Sequence, residues 1–212
     1  MKTRILGILG GIALPLSAGS VYVFSVVMLL MFGFMLPGLA KAGSSGRPLS
    51  SLAGTYSYTA HGNFSICLDS SFTEVSCTSS AAVVFPTTEV DVGQGTKDKN
   101  GHTCITWTTT DSDLTPGTSA STVGQGYDAD TTTSYDPKTQ SGNESYTFYS
   151  SSSGKCVGAN FVSSGTPVIV ASGTYHFVVS ANGTREDFMF TALTDPVGGL
   201  TDFAWSGTAF QQ

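Results

Sequence analysis

The sequence predicts an all-β domain whose strands follow one another as an antiparallel meander and close into an up-and-down barrel. Beyond residue 52, apolar and polar side chains alternate with a period of two, which is typical of half-buried strands. Gly, Pro, Asn and Asp interrupt this alternation often enough to predict nine or ten strands. No part of this region shows the apolar period of a helix. Closure removes unpaired strand edges, so a barrel is favoured. A two-sheet β-sandwich has the same periodicity and is the alternative.

The first 42 residues differ from the rest of the chain and predict an export signal. Lys2 and Arg4 precede two apolar runs that carry almost no charge, and "AKA" places small residues where a signal peptidase cleaves. We expect cleavage after Ala42, which would leave the protein periplasmic or secreted. The alternative is an uncleaved membrane anchor, because residues 21–36 and those before them approach the ~20 apolar residues that cross a bilayer.

The exported part is expected to be a flexible linker followed by one domain. Residues 43–52, "GSSGRPLSSL", are mostly polar and have little apolar surface to bury. Residues 53–212 are long enough for a single domain with a substantial core. Without the leader, six basic residues stand against 15 acidic ones, a net charge of about −9. This charge argues against nucleic acid as a partner, since binding phosphates requires clustered Lys and Arg. An acidic surface that promotes solubility is the expected meaning of the charge.

The strands are predicted in order along the domain. "TYSYTA" and "FSICL" predict a first hairpin around "HGN". "AAVVF" and "EVDVG" are separated by Pro86, which lacks a backbone donor and indicates an edge or a bend. "TCITWTTT" is the next strand, and residues 112–125 are predicted to be a long loop. "YDADTTTSY" and "ESYTFYS" predict a hairpin whose turn opens at Asp136-Pro137. "GKCVGANFV" and "GTPVIVASGTYHF" follow, and "DFAWSGTAF" is the last strand.

The segment "TYHFVVSANGTREDFMF", residues 174–190, predicts a hairpin with a two-residue turn at Asn182-Gly183, where both residues can adopt positive φ. This turn sets three pairs on one face: Tyr175 with Phe190, Phe177 with Phe188, and Val179 with Glu186. Such an aromatic ladder is most simply part of the core. The alternative is that Tyr175, Phe177, Phe188 and Phe190 line a cavity for a small apolar ligand.

Four cysteines lie after the leader, and in an exported chain they predict two disulfides. In "CITW" and "KCVGANF" the apolar residues alternate against Cys104 and Cys156, which places both cysteines on the strand face away from the core. This shared phase favours a Cys104–Cys156 bond and leaves Cys67 to pair with Cys77. A zinc site is disfavoured because no CxxC spacing occurs.

The sequence assigns no catalytic residue, metal ligand or cofactor. A GxSxG element is absent, and His61, His102 and His176 fall in turns or on the polar side of a strand, where they are expected to face solvent. The pairs Asp111/Asp113 and Asp128/Asp130 have a spacing that puts both carboxylates on one face of a strand. Calcium binding is one interpretation of these pairs. Solvated loop carboxylates are the interpretation that we favour.

Two resemblances extend this interpretation. The segments "LAGTYSYTAHG", "YDPKTQSGNESYTFY" and "GTYHFVVSANGTREDFMFTALTDPVGG" resemble a group of secreted bacterial proteins without an assigned function, which implies export and an all-β fold. Gly54-Thr55-Tyr56 and Thr201-Asp202-Phe203 are similar to two elements of lipocalins, with Tyr56 in place of the usual Trp. The second resemblance implies a barrel shape and no specific ligand.

These observations predict an exported, non-enzymatic β-domain that acts by binding or by surface interaction. The first alternative is a lipocalin-like carrier of a small apolar ligand. The second is an extracytoplasmic enzyme. A small apolar ligand or a surface partner is expected, and a membrane is a partner only if the leader is not cleaved.

Overall fold

The structure, a computed structural model, describes residues 46–113 and 121–212. The predicted leader, its cleavage site and the alternative anchor lie outside the described residues. A short 3-10 helix spans Leu49–Leu52. Ten strands follow: β1 (Gly54–Leu68), β2 (Val83–Lys97), β3 (His102–Asp113), β4 (Ser121–Asp136), β5 (Ser141–Ser150), β6 (Gly154–Val157), β7 (Asn160–Ser163), β8 (Ile169–Val179), β9 (Arg185–Thr194) and β10 (Leu200–Gln211).

Eight of these strands close into an antiparallel barrel in the order β1-β10-β9-β8-β5-β4-β3-β2. The closing pair is β1 with β10, where Tyr56 lies opposite Gln211. Strands that are consecutive in the sequence pair with each other, with one exception inside the barrel: β5 pairs with β8. The two strands between them, β6 and β7, form a separate two-stranded sheet. The predicted all-β barrel is therefore confirmed, and the β-sandwich alternative is set aside.

Residues 46–52 close one end of the barrel, in contrast to the flexible linker expected for this segment. Leu52 is completely buried in the hydrophobic core, and its carbonyl accepts a 2.6 Å hydrogen bond from the Tyr56 hydroxyl. Leu49 packs against the same core. The guanidinium of Arg47 lies against Gly183, in the turn between β8 and β9. A few apolar side chains in a mostly polar segment were therefore enough to dock it.

The predicted first hairpin is wrong, because residues 54–68 form the single strand β1. Tyr56, Tyr58, Ala60 and Phe64 all point inward, so the alternation continues without a break through "HGN". The inward position between Ala60 and Phe64 is Gly62. A Cβ atom there would lie 2.0 Å from Cδ1 of Trp205, so the glycine makes room for this indole and does not mark a turn.

The predicted long loop over residues 112–125 is also too long. Strand β3 continues to Asp113 and β4 begins at Ser121. Polar Ser and Thr residues here extend the ladder, because the outer face of a barrel strand needs no apolar side chains. Pro86 lies within β2 opposite Ser65 of β1, and the described pairing of β2 with β3 begins at the next residue, Thr87.

Both predicted disulfides are confirmed. Cys67 bonds to Cys77, and Cys104 bonds to Cys156. The reasoning from a single strand "KCVGANF" was wrong in one respect, because Gly158 has a φ of +58° and turns this segment into the β6–β7 hairpin. The Cys104–Cys156 bond fastens this hairpin to the outside of β3. These bonds are compatible with an oxidising environment outside the cytoplasm.

The register predicted for the β8–β9 hairpin is confirmed, whereas its turn is not. Tyr175 lies opposite Phe190, Phe177 opposite Phe188, and Val179 opposite Glu186. Only Gly183 in the turn has a positive φ, +74°, so the turn is not the predicted two-residue type. The Gly183 amide donates to the Ser180 carbonyl, and the Ser180 amide donates to the Arg185 carbonyl across a four-residue connection.

Candidate functional site

The interior of the barrel has two halves, which we name by what they contain. The lysine half lies next to the 3-10 helix and is built around Lys97 at the end of β2. The cavity half lies towards the other end and surrounds a partly open cavity of about 240 Å³. Because β-strand side chains alternate between faces, every second residue of each barrel strand points into one of these halves.

The lysine half holds a buried ionic cluster. The Lys97 ammonium lies 2.8 Å from Glu144 Oε1 and 2.9 Å from Glu186 Oε2, and all three side chains are at least 97% buried. Thr132 donates a 2.8 Å hydrogen bond to Glu144. Nζ of Lys97 also lies 5.0 Å from the ring centre of Phe177, within the range of a cation–π interaction. One cation therefore compensates two carboxylates and contacts an aromatic face.

Next to this cluster, the Tyr175 hydroxyl lies between two carboxyl groups. It contacts Glu144 and lies 2.9 Å from Asp130 Oδ2. A single hydroxyl proton can serve only one acceptor, so the second contact requires a proton on the other carboxyl. Burial, followed by the charge of Asp128, raises the pKa of Asp130 well above its ordinary value. This direction of the shift favours Asp130 as the carboxyl group that carries the proton.

The cavity is lined by aromatic, aliphatic and acidic side chains. Both tryptophans of the chain, Trp107 and Trp205, are among them. The lining residues are Ala60, Phe64, Ile66, Glu74, Glu89, Asp91, Trp107, Thr109, Asp111, Asp128, Tyr146, Phe148, Val170, Ala171, Phe190, Leu193, Leu200 and Trp205. None of these lining residues, all within the described chain, is Lys, Arg or His.

Glycines on neighbouring strands position the aromatic walls. A Cβ atom at Gly126 would lie 2.6 Å from Cζ of Phe148, and one at Gly93 would lie 2.7 Å from Cε3 of Trp107. Each ring lies over a bare stretch of backbone, as Trp205 does over Gly62. A side chain larger than hydrogen at any of these three glycines would therefore displace the ring beside it.

Two carboxylates in the cavity half are buried and form no ion pair with a basic side chain of the described residues. Asp91 is 7% exposed and Asp128 is 4% exposed. Asp91 shares a hydrogen bond with Glu89, while Asp128 is hydrogen-bonded to Asp130 and to the indole of Trp107. In each case Oδ1 has no hydrogen-bond partner among the described residues. Buried polar atoms in native proteins are nearly always paired, so these two oxygens require an explanation.

Burial shifts the titration of these groups. It raises the pKa of Asp91 to about 6 and that of Asp128 to about 7. Burial and the Asp91 charge also raise the pKa of Glu89, which therefore holds a proton at neutral pH. Glu74, on the loop between β1 and β2, has its pKa raised by burial and by the Asp195 charge. The cavity half is an acidic pocket whose net charge changes near neutrality.

No protein-family model, curated protein or solved structure matches this chain. The geometry of the barrel interior is therefore the basis for an argument about function.

The structure distributes the four candidate cavity residues between the core and the cavity wall. Phe190 lines the cavity. Tyr175, Phe177 and Phe188 are buried in the hydrophobic cluster of the barrel. The three histidines lie on the outside: His61 and His102 are exposed, and His176 Nδ1 lies 3.1 Å from Asn143 Oδ1.

The favoured interpretation of the acidic pairs is wrong for three of their four residues. Asp128 and Asp130 are not solvated loop residues, because both point into the barrel from β4 and are at most 4% exposed. Asp111 lines the cavity from β3. The Asp113 side chain lies outside the described residues. Within residues 46–113 and 121–212, no group of three or more His, Cys, Asp and Glu side chains is arranged to hold a metal ion.

The sequence contained one signal for these inward carboxylates. In "EVDV" of β2, Val90 and Val92 are 51% and 53% exposed, whereas Asp91 is buried and Glu89 lines the cavity. This pattern reverses the usual rule that apolar side chains face the core of a strand. Trp107, Phe148 and Trp205 were missed because alternation predicts only that they point inward, not that space remains between them.

In the described ranges, no helix has the length and apolar character needed to span a membrane.

Proposed function

We propose that this protein is an exported binding protein that holds a small molecule in the cavity half of its barrel. The observation that carries the proposal is the coexistence of a cavity of about 240 Å³ with two buried oxygens, Oδ1 of Asp91 and Oδ1 of Asp128, that have no hydrogen-bond partner among the described residues. A dry apolar cavity of about 150 Å³ accepts benzene, so this cavity has room for a ligand of about ten non-hydrogen atoms. Apolar walls with a few polar groups are typical of small-molecule sites.

The stability of the fold supports a functional origin for this pocket. An uncompensated buried carboxylate destabilises a protein, and a cavity forgoes the contacts that a filled core would make. Tyr, Phe and Leu side chains fill the lysine half of the same barrel, so the fold itself does not require an empty space. Structural features that reduce stability are typical of functional sites.

The proposal places the protein in the periplasm or outside the cell. The leader-like first 42 residues and the two disulfides support this location. A binding protein in such a compartment would act as a carrier or as a receptor for a molecule that is taken up or released by the cell.

Tryptophan fluorescence tests this proposal directly. Both tryptophans line the cavity, so a molecule that enters it should change the emission without background from other sites. Three probes of similar shape are suitable: phenyltrimethylammonium, tert-butylbenzene and benzoate. We expect at least one to bind the wild-type chain with 1:1 stoichiometry, and native mass spectrometry of protein purified without detergent to detect a ligand of similar size.

A cavity-filling substitution provides the control. Ala171 is buried and lines the cavity, so Ala171→Phe should abolish binding. Ala192 is exposed on β9, so Ala192→Phe adds the same ring without filling the cavity and should leave binding unchanged. Absence of any co-purifying ligand and of binding by all three probes would rule out the proposal.

An enzyme is the second candidate, and the raised pKa of Glu89 favours it. A carboxylic acid that keeps its proton at neutral pH beside an ionised neighbour, here Asp91, has the properties of a general acid. We expect no turnover above background from a broad panel of ester, glycoside and phosphate substrates. Turnover that is lost in Glu89→Gln and retained in Ala192→Phe would favour the enzyme instead.

A further inference from the structure

We propose that the ligand is a small organic cation, an ammonium or quaternary ammonium group on an apolar body. This inference rests on the proposed function and names the ligand class for the same site. The described lining of the cavity half supplies carboxylates and aromatic rings, and none of these lining residues is Lys, Arg or His.

The first argument is the distribution of charge. Carboxyl groups reach the cavity from β2, β3, β4 and the β1–β2 loop: Glu89, Asp91, Asp111, Asp128 and Glu74. The basic side chain that the structure places inside the barrel, Lys97, is held by Glu144 and Glu186 in the other half. Within the described chain, Glu74, Glu89, Asp91 and Asp128 form no ion pair with a Lys, Arg or His side chain.

The second argument is the pair of free acceptor atoms. Oδ1 of Asp91 and Oδ1 of Asp128 are buried and have no hydrogen-bond partner among the described residues. Both side chains line the cavity, so a bound molecule is the partner within reach. A ligand that is itself negative would add repulsion, whereas an ammonium group compensates the charge.

The third argument is the chemistry of the walls. The cavity is bordered by the rings of Trp107, Tyr146, Phe148, Phe190 and Trp205. Aromatic faces attract cations, Trp most strongly, and cages of such rings recognise quaternary ammonium ligands. The indole N–H of Trp205 is buried and without a partner among the described residues, and an oxygen atom on the ligand would satisfy it.

The lysine half provides an internal precedent. There the ammonium group of Lys97 contacts two carboxylates, Glu144 and Glu186, and one aromatic face, Phe177. The cavity half repeats the carboxylates and the aromatic faces around an empty volume. The same barrel therefore shows how an ammonium group is bound by this set of side chains. We infer that the ligand supplies a second ammonium group, in the cavity half.

A metal ion is a weaker explanation of the same carboxylates. Within the described ranges, no group of three or more potential ligand side chains has the arrangement of a metal site. The walls are mainly aromatic and aliphatic, whereas Ca²⁺ and Mg²⁺ bind to shells of oxygen atoms. Divalent ions are nevertheless included in the test below.

The decisive comparison uses two probes of matched shape, phenyltrimethylammonium and tert-butylbenzene, which differ in one positive charge. Their Kd values are measured by tryptophan fluorescence and calorimetry at pH 8 with the full exported chain. We expect the cation to bind about tenfold more tightly or better. Equal binding of the neutral probe would overturn the cation inference and leave the proposed binding function intact. Absence of binding by every probe, together with the absence of any co-purifying ligand, would overturn both.

Charge-removing variants test which carboxylates are responsible. Asp91→Asn combined with Asp128→Asn should reduce the preference for the cation to about threefold or less, while the neutral probe binds as before. Asp136→Asn combined with Asp187→Asn removes the same charge from exposed positions outside the cavity and should preserve the preference. An unchanged preference in the first variant, or its equal loss in the second, would overturn the inference.

Competition with Ca²⁺ or Mg²⁺ separates an organic cation site from a metal site. We expect either ion, at millimolar concentration and constant ionic strength, to change the Kd of phenyltrimethylammonium by less than about twofold. Displacement of the probe at micromolar Ca²⁺ or Mg²⁺ would identify a metal site and overturn the inference.

The pH dependence offers a further readout, because the charge of phenyltrimethylammonium does not titrate. Its binding should weaken by about tenfold between pH 8 and pH 5 as Asp91 and Asp128 take up protons. The neutral probe should show no such loss. The other charged or titratable groups that face this region are Glu74, Glu89, Lys97, Asp111, Asp130, Glu144 and Glu186. A cation affinity that is independent of pH would contradict the assigned role of the two aspartates.

Discussion

The two halves of the barrel interior use the same kinds of side chain with opposite results. In the lysine half, Glu144 and Glu186 are buried against one ammonium group, and aromatic rings fill the remaining space. In the cavity half, Asp91 and Asp128 are also buried, but neither forms an ion pair with a basic side chain of the described chain, and the walls surround a cavity of about 240 Å³. The comparison shows that a buried charged group contributes to stability only when a group of opposite charge compensates it. A buried charged group without such compensation indicates a ligand-binding site.

The largest expected effect comes from removing the cation of the lysine half. Lys97→Met should lower the free energy of unfolding by about 3–5 kcal/mol at pH 7, because Glu144 and Glu186 would remain buried without compensation. Urea denaturation measures this change. Lys155→Met, at an exposed position of β6, is the matched control and should change stability by less than about 0.5 kcal/mol. A loss below about 1 kcal/mol in Lys97→Met would contradict the assigned role of the cluster.

Removal of each disulfide in turn should distinguish an effect on stability alone from an effect on both stability and binding. Replacing Cys104 and Cys156, which are 52 residues apart, by Ala should lower the free energy of unfolding by about 4 kcal/mol. Probe affinity should change little, because the β6–β7 hairpin lies outside the barrel. Replacing Cys67 and Cys77 should cost about 3 kcal/mol, since their separation is 10 residues. This second change should also weaken binding, because Glu74 lies in the released loop. Equal effects on binding would show that the loop does not shape the cavity.

The cavity half should also give the wild-type protein an unusual dependence on pH. The folded-state pKa values of Asp91 and Asp128, about 6 and about 7, lie above their ordinary value of 3.8, so the folded state binds more protons than the unfolded state between these limits. The contribution of these two aspartates to the free energy of unfolding is therefore fully present below pH 3.8. It is lost as the pH rises through 6 and 7. We expect unfolding at pH 8 to require about 2 kcal/mol less than at pH 5. A stability that increases over this range would contradict the assignment.

The smallest expected effect is a gain in stability. Asp128→Asn removes a buried charge that has no cation, and should raise the free energy of unfolding by about 1 kcal/mol at pH 8. At pH 4 the wild-type side chain is already neutral, so the difference should disappear. Asp136→Asn, at an exposed position, should have no measurable effect at either pH. A loss of stability at pH 8 would show that Asp128 has a structural role and would remove the contrast between the two halves.

Much of the fold could be predicted from local patterns. Period-two alternation identified most strands, and the phase of Cys104 and Cys156 identified their bond. Centring the β8–β9 hairpin on Asn182-Gly183 gave the correct register, although the turn has four residues and not two. The incorrect predictions concern glycines, because a glycine can either form a turn or make room for a neighbouring side chain. Gly62 suggested a turn, but it makes room for Trp205, and Gly158 makes a turn inside what alternation suggested was a strand.

The candidate site was predictable only in part. The register indicated that Phe190 and Glu186 point inward, and they do. It could not indicate which inward side chains would meet across the barrel. Asp91, Trp107 and Asp128 come from three strands and face one cavity only because the sheet closes.

By itself, the sequence determined the period of its strands, the pairing of its cysteines and the excess of acidic residues, because these depend on neighbours along the chain or on composition. Only the tertiary structure decided which acidic residues lie inside, that Lys97 compensates Glu144 and Glu186 in one half, and that the walls of the other half surround a cavity. The reason is that burial and charge compensation depend on groups that closure brings together from distant strands.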